Sequence, residues 1–190
     1  MILPYSTAVI LAGGRSSRMQ RDKALLPFGD YTSLAEFQYR KLSKIFSNLY
    51  ISSKNNKFNF DVEIVEDRYE GSSPLVALVS IFETLEEIEE VFILSVDAPF
   101  VSEKSIVKLY DIGKEFDVVV AESNNGLEPL CAVYRRSCLK EAKKALELNQ
   151  HRLQSLLEQL KVKKVKIDDK ECINLNYPSE YKIAQRRWNA

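Results

Sequence analysis

The alternation of two kinds of segment is the feature that most constrains how this chain can fold. Short runs rich in β-branched residues are separated by longer segments whose apolar residues recur with the period of an α-helix. The predicted strands are 7–12, 48–53, 62–67, 91–96, 117–122, 130–135 and 163–168. The predicted helices are 33–46, 75–87, 102–115, 137–147, 151–160 and 178–188. Such alternation is typical of βαβ units, and it predicts a three-layer α/β/α fold whose helices cover both faces of a mostly parallel sheet.

Composition limits the classes of protein to which the chain can belong. No repeat, low-complexity tract or flexible linker divides the 190 residues, so residues 1–190 are expected to form a single domain. The 27 basic and 27 acidic residues give no net charge, which argues against bulk binding of nucleic acid. No signal peptide is evident, and no segment approaches the roughly 20 apolar residues of a membrane span. Three cysteines without CxxC spacing are typical of a reduced protein: Cys131, Cys138 and Cys172. We therefore expect a cytoplasmic protein that acts away from membranes.

The first predicted strand runs into a long polar connection, LAGGRSSRMQRDK, at residues 11–23. Ligands of parallel sheets bind at the carboxyl ends of the strands, and Gly13 and Gly14 let the backbone approach a ligand closely. Four basic side chains add positive charge here: Arg15, Arg18, Arg21 and Lys23. The pattern favours a di- or triphosphate site that is neither a Walker A loop nor a GxGxxG fingerprint. A solvated basic loop that only connects two elements is the alternative.

Asp97 follows another buried strand in the segment SVDAPF. A carboxylate at such a strand end is well placed to bind Mg²⁺ that bridges substrate phosphates. The alternative is an Asp that caps the next helix, with Pro99 shaping the turn.

Asp67 ends a third predicted strand in the segment VEDRYEGSSPL. A carboxylate there can accept hydrogen bonds from the ring N–H and the exocyclic amine of a guanine. An Asp that faces solvent before a helix is an equally good interpretation.

Asn174 and Asn176 occupy alternate positions of an extended segment, CINLNYPSEY, and so share one face. The two carboxamides are candidates for contact with a substrate. Turn or capping duty before Pro178 is the alternative.

Two other groups of polar residues are expected to lie at the surface. The single histidine, His151, precedes a helical segment, where a capping role is favoured over catalysis. Glu128, Arg135 and Arg136 flank a predicted strand and are interpreted as surface charge rather than as the rim of a site.

The segment LAGGRSSRMQRDKALLPF resembles the signature of the MobA-type molybdenum cofactor guanylyltransferases: LAGG, a basic spacer, Arg-Met, Asp-Lys and an apolar run. Three further segments follow in the order of that family: VEDRYEGSSPLVAL, LSVDAPFVS and INLNYPSEY. The resemblance covers nearly the whole chain. It implies a Rossmann-like sheet of the nucleotide-diphospho-sugar transferase type. It also implies transfer of GMP from GTP to the molybdopterin-bound molybdenum cofactor, with Mg²⁺ as cofactor and release of pyrophosphate.

The resemblance further implies roles for single residues on the nucleotide side. The backbone expected to cradle GTP is Leu11, Ala12 and Gly13, with Gly14 and Arg15 beside it. Ser52 stands where a nucleotide-contacting Asn can occur.

The remaining roles implied by the resemblance concern the reaction itself. Lys23 and Arg18 match phosphate contacts, and Asp67 matches a guanine contact. Asp97 matches the Mg²⁺ ligand. Asn174 and Asn176 match asparagines of the pterin side or the reaction centre.

Several departures from the family pattern leave alternatives open. Gln20 replaces a usual Gly, SPLVA replaces Gly-Pro-Leu-x-Gly, and Glu128 stands where a His is common. The alternatives are a cytidylyltransferase or sugar-phosphate nucleotidyltransferase of the same fold, or a non-catalytic nucleotide-binding module. LAGG and Asp-Lys favour guanine, and the expected partners are GTP, the molybdopterin cofactor and, transiently, cofactor-biosynthesis proteins or recipient molybdoenzymes.

Overall fold

The computed structural model describes residues 5–13 and 21–188, and the strands within them form one seven-stranded sheet. The strands are β1 (Tyr5–Leu11), β2 (Phe46–Ser52), β3 (Glu63–Val65), β4 (Glu90–Ser95), β5 (Val118–Ser123), β6 (Gly126–Arg135) and β7 (Val162–Lys166). Their order across the sheet is β3-β2-β1-β4-β6-β5-β7. Every neighbouring pair is parallel except the two pairs that contain β6. The prediction of a mostly parallel sheet is therefore confirmed.

Six helices connect the strands in the described part of the chain. They are α1 (Leu34–Leu42), α2 (Pro74–Thr84), α3 (Glu103–Tyr110), α4 (Leu139–Glu147), α5 (Leu153–Leu157) and α6 (Pro178–Trp188). Serine hydroxyls begin three of them, since Ser33, Ser73 and Ser102 each accept a hydrogen bond from a backbone N–H of the first turn. Single turns of 3-10 helix add Lys23–Leu25 and Arg136–Cys138. None of the described helices is long and apolar enough to cross a bilayer.

The helices lie on both faces of the sheet, as the alternation predicts. Buried residues of α1, α3 and α6 pack on one face, and those of α2, α4 and α5 pack on the other. Successive residues of β1 show this division, because Ala8 and Ile10 join the first cluster whereas Val9 and Leu11 join the second. A strand buried on both faces has no polar alternation, which explains the continuous apolar run. The predicted three-layer α/β/α fold is confirmed.

Four predicted helices end too late, among them the one predicted over 151–160, which ends at Leu157. The helix predicted over 33–46 ends at Leu42, because Phe46 already belongs to β2 and stacks on Phe92 of β4, with ring centroids 5.6 Å apart. The helices predicted to end at 87 and 115 end at Thr84 and Tyr110. Apolar periodicity alone does not separate a helix from the strand or turn that continues its pattern.

The pairing of β6 with β5 contains an irregularity near the edge of the sheet at which the parallel strands end. Val120 of β5 pairs with Ala132, but the next residue, Ala121, pairs with Glu128. Residues 129–131 therefore have no partner on β5. The hydroxyl of buried Tyr134 donates to the carbonyl oxygen of Pro129 at 2.9 Å and holds this bulge.

Candidate active site

Two cavities lie side by side where the parallel strands end. We call the first the β1–β3 cavity: it measures about 180 Å³ and is lined by Leu11, Gly13, Ser52, Asp67 and the start of α2, among others. We call the second the β4–β6 cavity: it measures about 340 Å³ and is lined by Asp97, Glu128, Asn174 and Asn176, among others. Ser95 and Leu130 line both. These two residues therefore form a wall shared by both cavities, and each cavity could hold one reactant.

An ion pair between Lys23 and Asp97 stands at this edge. The Lys23 ammonium contacts the Asp97 carboxylate and also donates to Oδ1 of Asn176 at 3.2 Å. The two charged side chains are only 16% and 14% exposed. The structure thus brings together three residues that the sequence assigned to one site. The Asn176 side chain therefore bonds to Lys23, whereas a capping side chain would bond to backbone N–H groups of the next helix.

Asp97 is held from both sides. The Ser95 hydroxyl donates to its Oδ1 at 2.6 Å, and the backbone N–H of Leu175 donates to its carbonyl oxygen at 2.9 Å. The second bond ties the segment that carries Asn174 and Asn176 to the end of β4. Asp97 therefore acts as part of a built cluster, not as the cap of α3, which begins with Ser102.

The turn after Asp97 rests on two polar side chains of α1. Gln38 donates to the carbonyl oxygen of Ala98 at 2.9 Å, and the Lys41 ammonium donates to those of Pro99 and Val101 at 2.9 and 3.1 Å. Burial lowers the pKa of Lys41 from 10.5 to about 7. No sequence signal marks either residue, because both lie within an ordinary amphipathic helix.

Lys57 is a further residue that the sequence analysis missed. Its ammonium donates to the carbonyl oxygen of Ala12 at 3.1 Å and pairs with the Asp22 carboxylate. The other Asp22 oxygen accepts from the backbone N–H of Ala24 at 3.0 Å and caps the turn that carries Lys23. One cation thereby joins the end of β1 to the base of the Lys23 turn. The sequence does not indicate this role, because Lys57 lies in an ordinary polar connection after β2.

The β1–β3 cavity contains the predicted nucleotide-side residues. The backbone N–H of Ala12 donates to the carbonyl oxygen of buried Ser52 at 3.0 Å, so the ends of β1 and β2 are joined. Among the residues that the structure describes, none has an atom within 4 Å of a Cβ added at Gly13. Burial raises the pKa of the Asp67 carboxyl, and Lys54 opposes this shift. Asp67 is half-buried and lines this cavity.

Asn174 and Asn176 lie on the same side of their segment, as expected. Buried Leu175 separates them, and both line the β4–β6 cavity. The backbone N–H groups of Asn176 and Tyr177 donate to the Glu180 carboxylate at 2.7 and 2.9 Å. Glu180 therefore satisfies the amides before α6, and the asparagine side chains point to the cavity.

The expectation of surface charge is wrong for Glu128, Arg135 and Arg136. Glu128 lines the β4–β6 cavity, because the antiparallel β6 begins at the site edge. Arg135 ends the same strand at the opposite edge, where it pairs with Glu90 at 3.2 Å. Arg136 donates to three backbone carbonyl oxygens in the last turn of α2 and just after it. Both arginines stabilise the fold away from the site.

The structure also places the histidine and the cysteines. His151 lies exposed and contacts Ser73 and Asn149 through its ring nitrogens, in keeping with a surface role. The three cysteines are free thiols. The predicted phosphate-side residues Gly14, Arg15 and Arg18, together with Gln20, lie outside the described residues.

The family model of the MobA-like NTP transferase domain matches residues 8–165, which is more than half of the chain. The chain belongs to this family. The resemblance that the LAGG segment indicated is therefore confirmed.

Two relatives are similar in sequence to this chain over nearly its full length. It is 36% identical over 185 residues to a molybdenum cofactor guanylyltransferase of Campylobacter jejuni, covering 95% of this chain and 96% of the relative. It is 34% identical over 189 residues to a protein of the same name from Helicobacter pylori, covering 96% and 93%.

Solved structures show the same fold. Molybdopterin-guanine dinucleotide biosynthesis protein A from Archaeoglobus fulgidus aligns with a TM-score of 0.82 at 19% identity, over 96% of this chain and 98% of that one. A 2-C-methyl-D-erythritol 4-phosphate cytidylyltransferase from Thermus thermophilus aligns with a TM-score of 0.75 at 13% identity, over 98% and 100%. The predicted nucleotide-diphospho-sugar transferase fold is confirmed.

Proposed function

We propose that this chain transfers GMP from GTP to the molybdopterin-bound molybdenum cofactor and releases pyrophosphate. The observation that carries the proposal is the cluster of Lys23, Asp97 and Asn176 beside a wall shared by two cavities. Two cavities with a common wall suit a reaction that joins two bound molecules. The names of relatives at 34–36% identity supply the two substrates.

The chemistry is an in-line displacement at the α-phosphorus of GTP by the terminal phosphate of the acceptor. Both reactants are anions, so the protein must position them and offset their charge. The acceptor phosphate is the nucleophile, and no side chain has to form a covalent intermediate. Lys23 donates its hydrogen bonds to phosphate oxygens, including those of the leaving pyrophosphate.

The β1–β3 cavity is the proposed nucleotide site. The backbone of Leu11, Ala12 and Gly13 faces the phosphates, and Ser52 contacts the nucleoside. The Asp67 carboxylate accepts from the ring N–H and the amine of guanine. The roles of Gly14, Arg15 and Arg18 at the triphosphate remain part of the proposal on the strength of the family signature.

Mg²⁺ fits the oxygen atoms beside Lys23. The Asp97 carboxylate and the Asn176 amide oxygen already converge on one cation, the Lys23 ammonium. Among the described residues there is no group of three or more His, Cys, Asp or Glu side chains that could hold a metal. A single carboxylate with phosphate and water oxygens is the usual environment of Mg²⁺ in nucleotide enzymes. Asp97 would hold Mg²⁺, which would supply positive charge to the phosphates, and Lys23 would donate to oxygens of the triphosphate.

The β4–β6 cavity is the proposed acceptor site. Asn174 and Asn176 line it and face the incoming phosphate from the acceptor side. The partners we propose are therefore GTP and the molybdopterin cofactor, with transient contacts to cofactor-biosynthesis proteins or recipient molybdoenzymes. A cytoplasmic location is part of this proposal.

Mass-spectrometric analysis of the product tests the function. The protein is incubated with Mg²⁺, the acceptor and either GTP or CTP, and we expect the guanine dinucleotide in large excess over the cytosine one. Preference for CTP would replace guanylyl by cytidylyl transfer. Nucleotide binding without any product would instead indicate a binding module.

A further inference from the structure

The β4–β6 cavity contains a carboxylate that the transfer chemistry leaves without a role. Glu128 lines this cavity together with Asp97 and Asn174. The acceptor proposed for the cavity carries a phosphate, and a second carboxylate near a phosphate is repulsive. A hydrogen-bond donor on another part of the acceptor would offset this repulsion.

The Glu128 carboxylate is oriented by the turn between β5 and β6. The Ser123 hydroxyl donates to Oε1 of Glu128 at 2.8 Å, and the backbone N–H of Asn125 donates to the Ser123 oxygen at 3.2 Å. Ser123 is itself only 7% exposed. Among the residues that the structure describes, none forms a hydrogen bond or ion pair with Oε2 of Glu128. One oxygen is thus fixed by the protein while the other is available to a ligand.

The walls around Glu128 include apolar side chains that an aromatic ring can contact. The bulge at residues 129–131 follows Glu128 directly, and the Tyr134 hydroxyl holds it through the Pro129 carbonyl oxygen. Four apolar side chains line the same cavity: Val101, Leu127, Pro129 and Leu130. A cavity of about 340 Å³ that combines apolar walls with several polar side chains is typical of sites for small molecules, and a pterin ring offers both kinds of surface.

We propose that Glu128 recognises the pterin ring of the acceptor. The inference rests on the proposed function, which supplies the pterin. A pterin carries a ring N–H and an exocyclic amine side by side on its pyrimidine edge, the same donor pair that guanine presents. Glu128 accepts both in the β4–β6 cavity, as Asp67 accepts both from guanine in the β1–β3 cavity. In each cavity, one carboxylate then recognises the same pair of donors on the pyrimidine edge of the ligand.

Kinetics of Glu128→Gln test this role. The glutamine has nearly the same shape but replaces one acceptor by a donor that opposes the ring N–H. We expect the KM for the acceptor to rise about tenfold or more, because a hydrogen bond to a charged group is worth that factor. The KM for GTP should stay unchanged. Glu103→Gln, an exposed carboxylate at the start of α3, is the matched control and should behave as the wild type.

Competition by free rings separates recognition from a merely structural role. Free pterin and lumazine, which has an oxygen in place of the amine, are compared as inhibitors against the acceptor. The wild type should favour pterin by about tenfold, and Glu128→Gln should lose this preference. If the wild type transfers GMP but shows no preference, or if the variant keeps both the preference and the KM, the role of Glu128 is refuted while the proposed function stands. Absence of GMP transfer by the wild type would overturn both.

Discussion

The Lys23 ammonium contacts the Asp97 carboxylate although 74 positions separate the two residues in the chain. The two residues meet because β1 and β4 are adjacent parallel strands and the segments that follow them lie at the same edge. Asn176, from the segment before α6, completes the cluster. The topology of the sheet therefore builds the site from three distant parts of the sequence.

Loss of either charged member of this pair should slow transfer without unfolding the protein. We expect Lys23→Met and Asp97→Asn to reduce kcat by about 10²–10³, the usual cost of removing one preorganised electrostatic group. Both side chains are mostly buried, so removal of one leaves the other unpaired, and we expect the thermal unfolding temperature to fall while the folded spectrum is retained. Circular dichroism melting and initial rates at saturating GTP measure the two quantities. Near-normal turnover of Lys23→Met would contradict its assignment.

Lys57 should act as a positioning residue for Lys23. Lys57→Met leaves the Ala12 carbonyl oxygen and the Asp22 carboxylate without their shared cation, so we expect kcat/KM for GTP to fall about tenfold. Lys57→Arg should recover part of the loss, and the effect of Asp22→Asn should not add to that of Lys57→Met. The control is Lys140→Met, an exposed lysine on α4. Additive effects, or lower stability with unchanged kinetics, would show that the lysine only stabilises the fold.

Asp67 should determine the preference for guanine. ITP lacks the exocyclic amine of GTP, so the wild type should use it with kcat/KM about 10-fold to 100-fold lower. Asp67→Asn should lower activity with GTP and reduce the difference between GTP and ITP. Comparison of kcat/KM for the two nucleotides measures this. An unchanged ratio in the variant would place guanine recognition elsewhere.

Lys41 should make stability depend on pH. Burial lowers its pKa from 10.5 to about 7, so between these values the unfolded chain holds a proton that the folded chain has released. The free energy of unfolding therefore rises with pH in this window, by up to about 1.4 kcal/mol per pH unit, and the gain is lost as the pH falls through 7. Urea unfolding of the wild type and Lys41→Met from pH 6 to 9 measures the difference. A difference that does not change with pH would contradict a buried lysine of lowered pKa.

The sequence predicted the fold better than the ends of its elements. Each run of β-branched residues became a strand, because strands buried on both faces leave a continuous apolar signal. The turn at Lys23–Leu25 was not predicted, since three residues carry no periodicity. The end of α1 was misjudged because Phe46 fits the helical pattern and belongs to the sheet.

The sequence predicted a site residue correctly where its place at the end of a strand determines its location. Asp67 and Asp97 follow parallel strands, so their placement at one edge follows from topology. Glu128 was misassigned because the antiparallel direction of β6 and the bulge beside it depend on pairing that no local pattern shows. Lys57 was missed because its partners, Ala12 and Asp22, are chosen by the tertiary structure.

Pyrophosphate release from GTP in the presence and absence of the molybdopterin-bound cofactor tests the central claim most directly. With Mg²⁺ present, we predict one pyrophosphate released per acceptor consumed, negligible release without acceptor, and almost none from Asp97→Asn. Release that is independent of the acceptor, or that is faster from CTP than from GTP, would contradict guanylyl transfer by this chain.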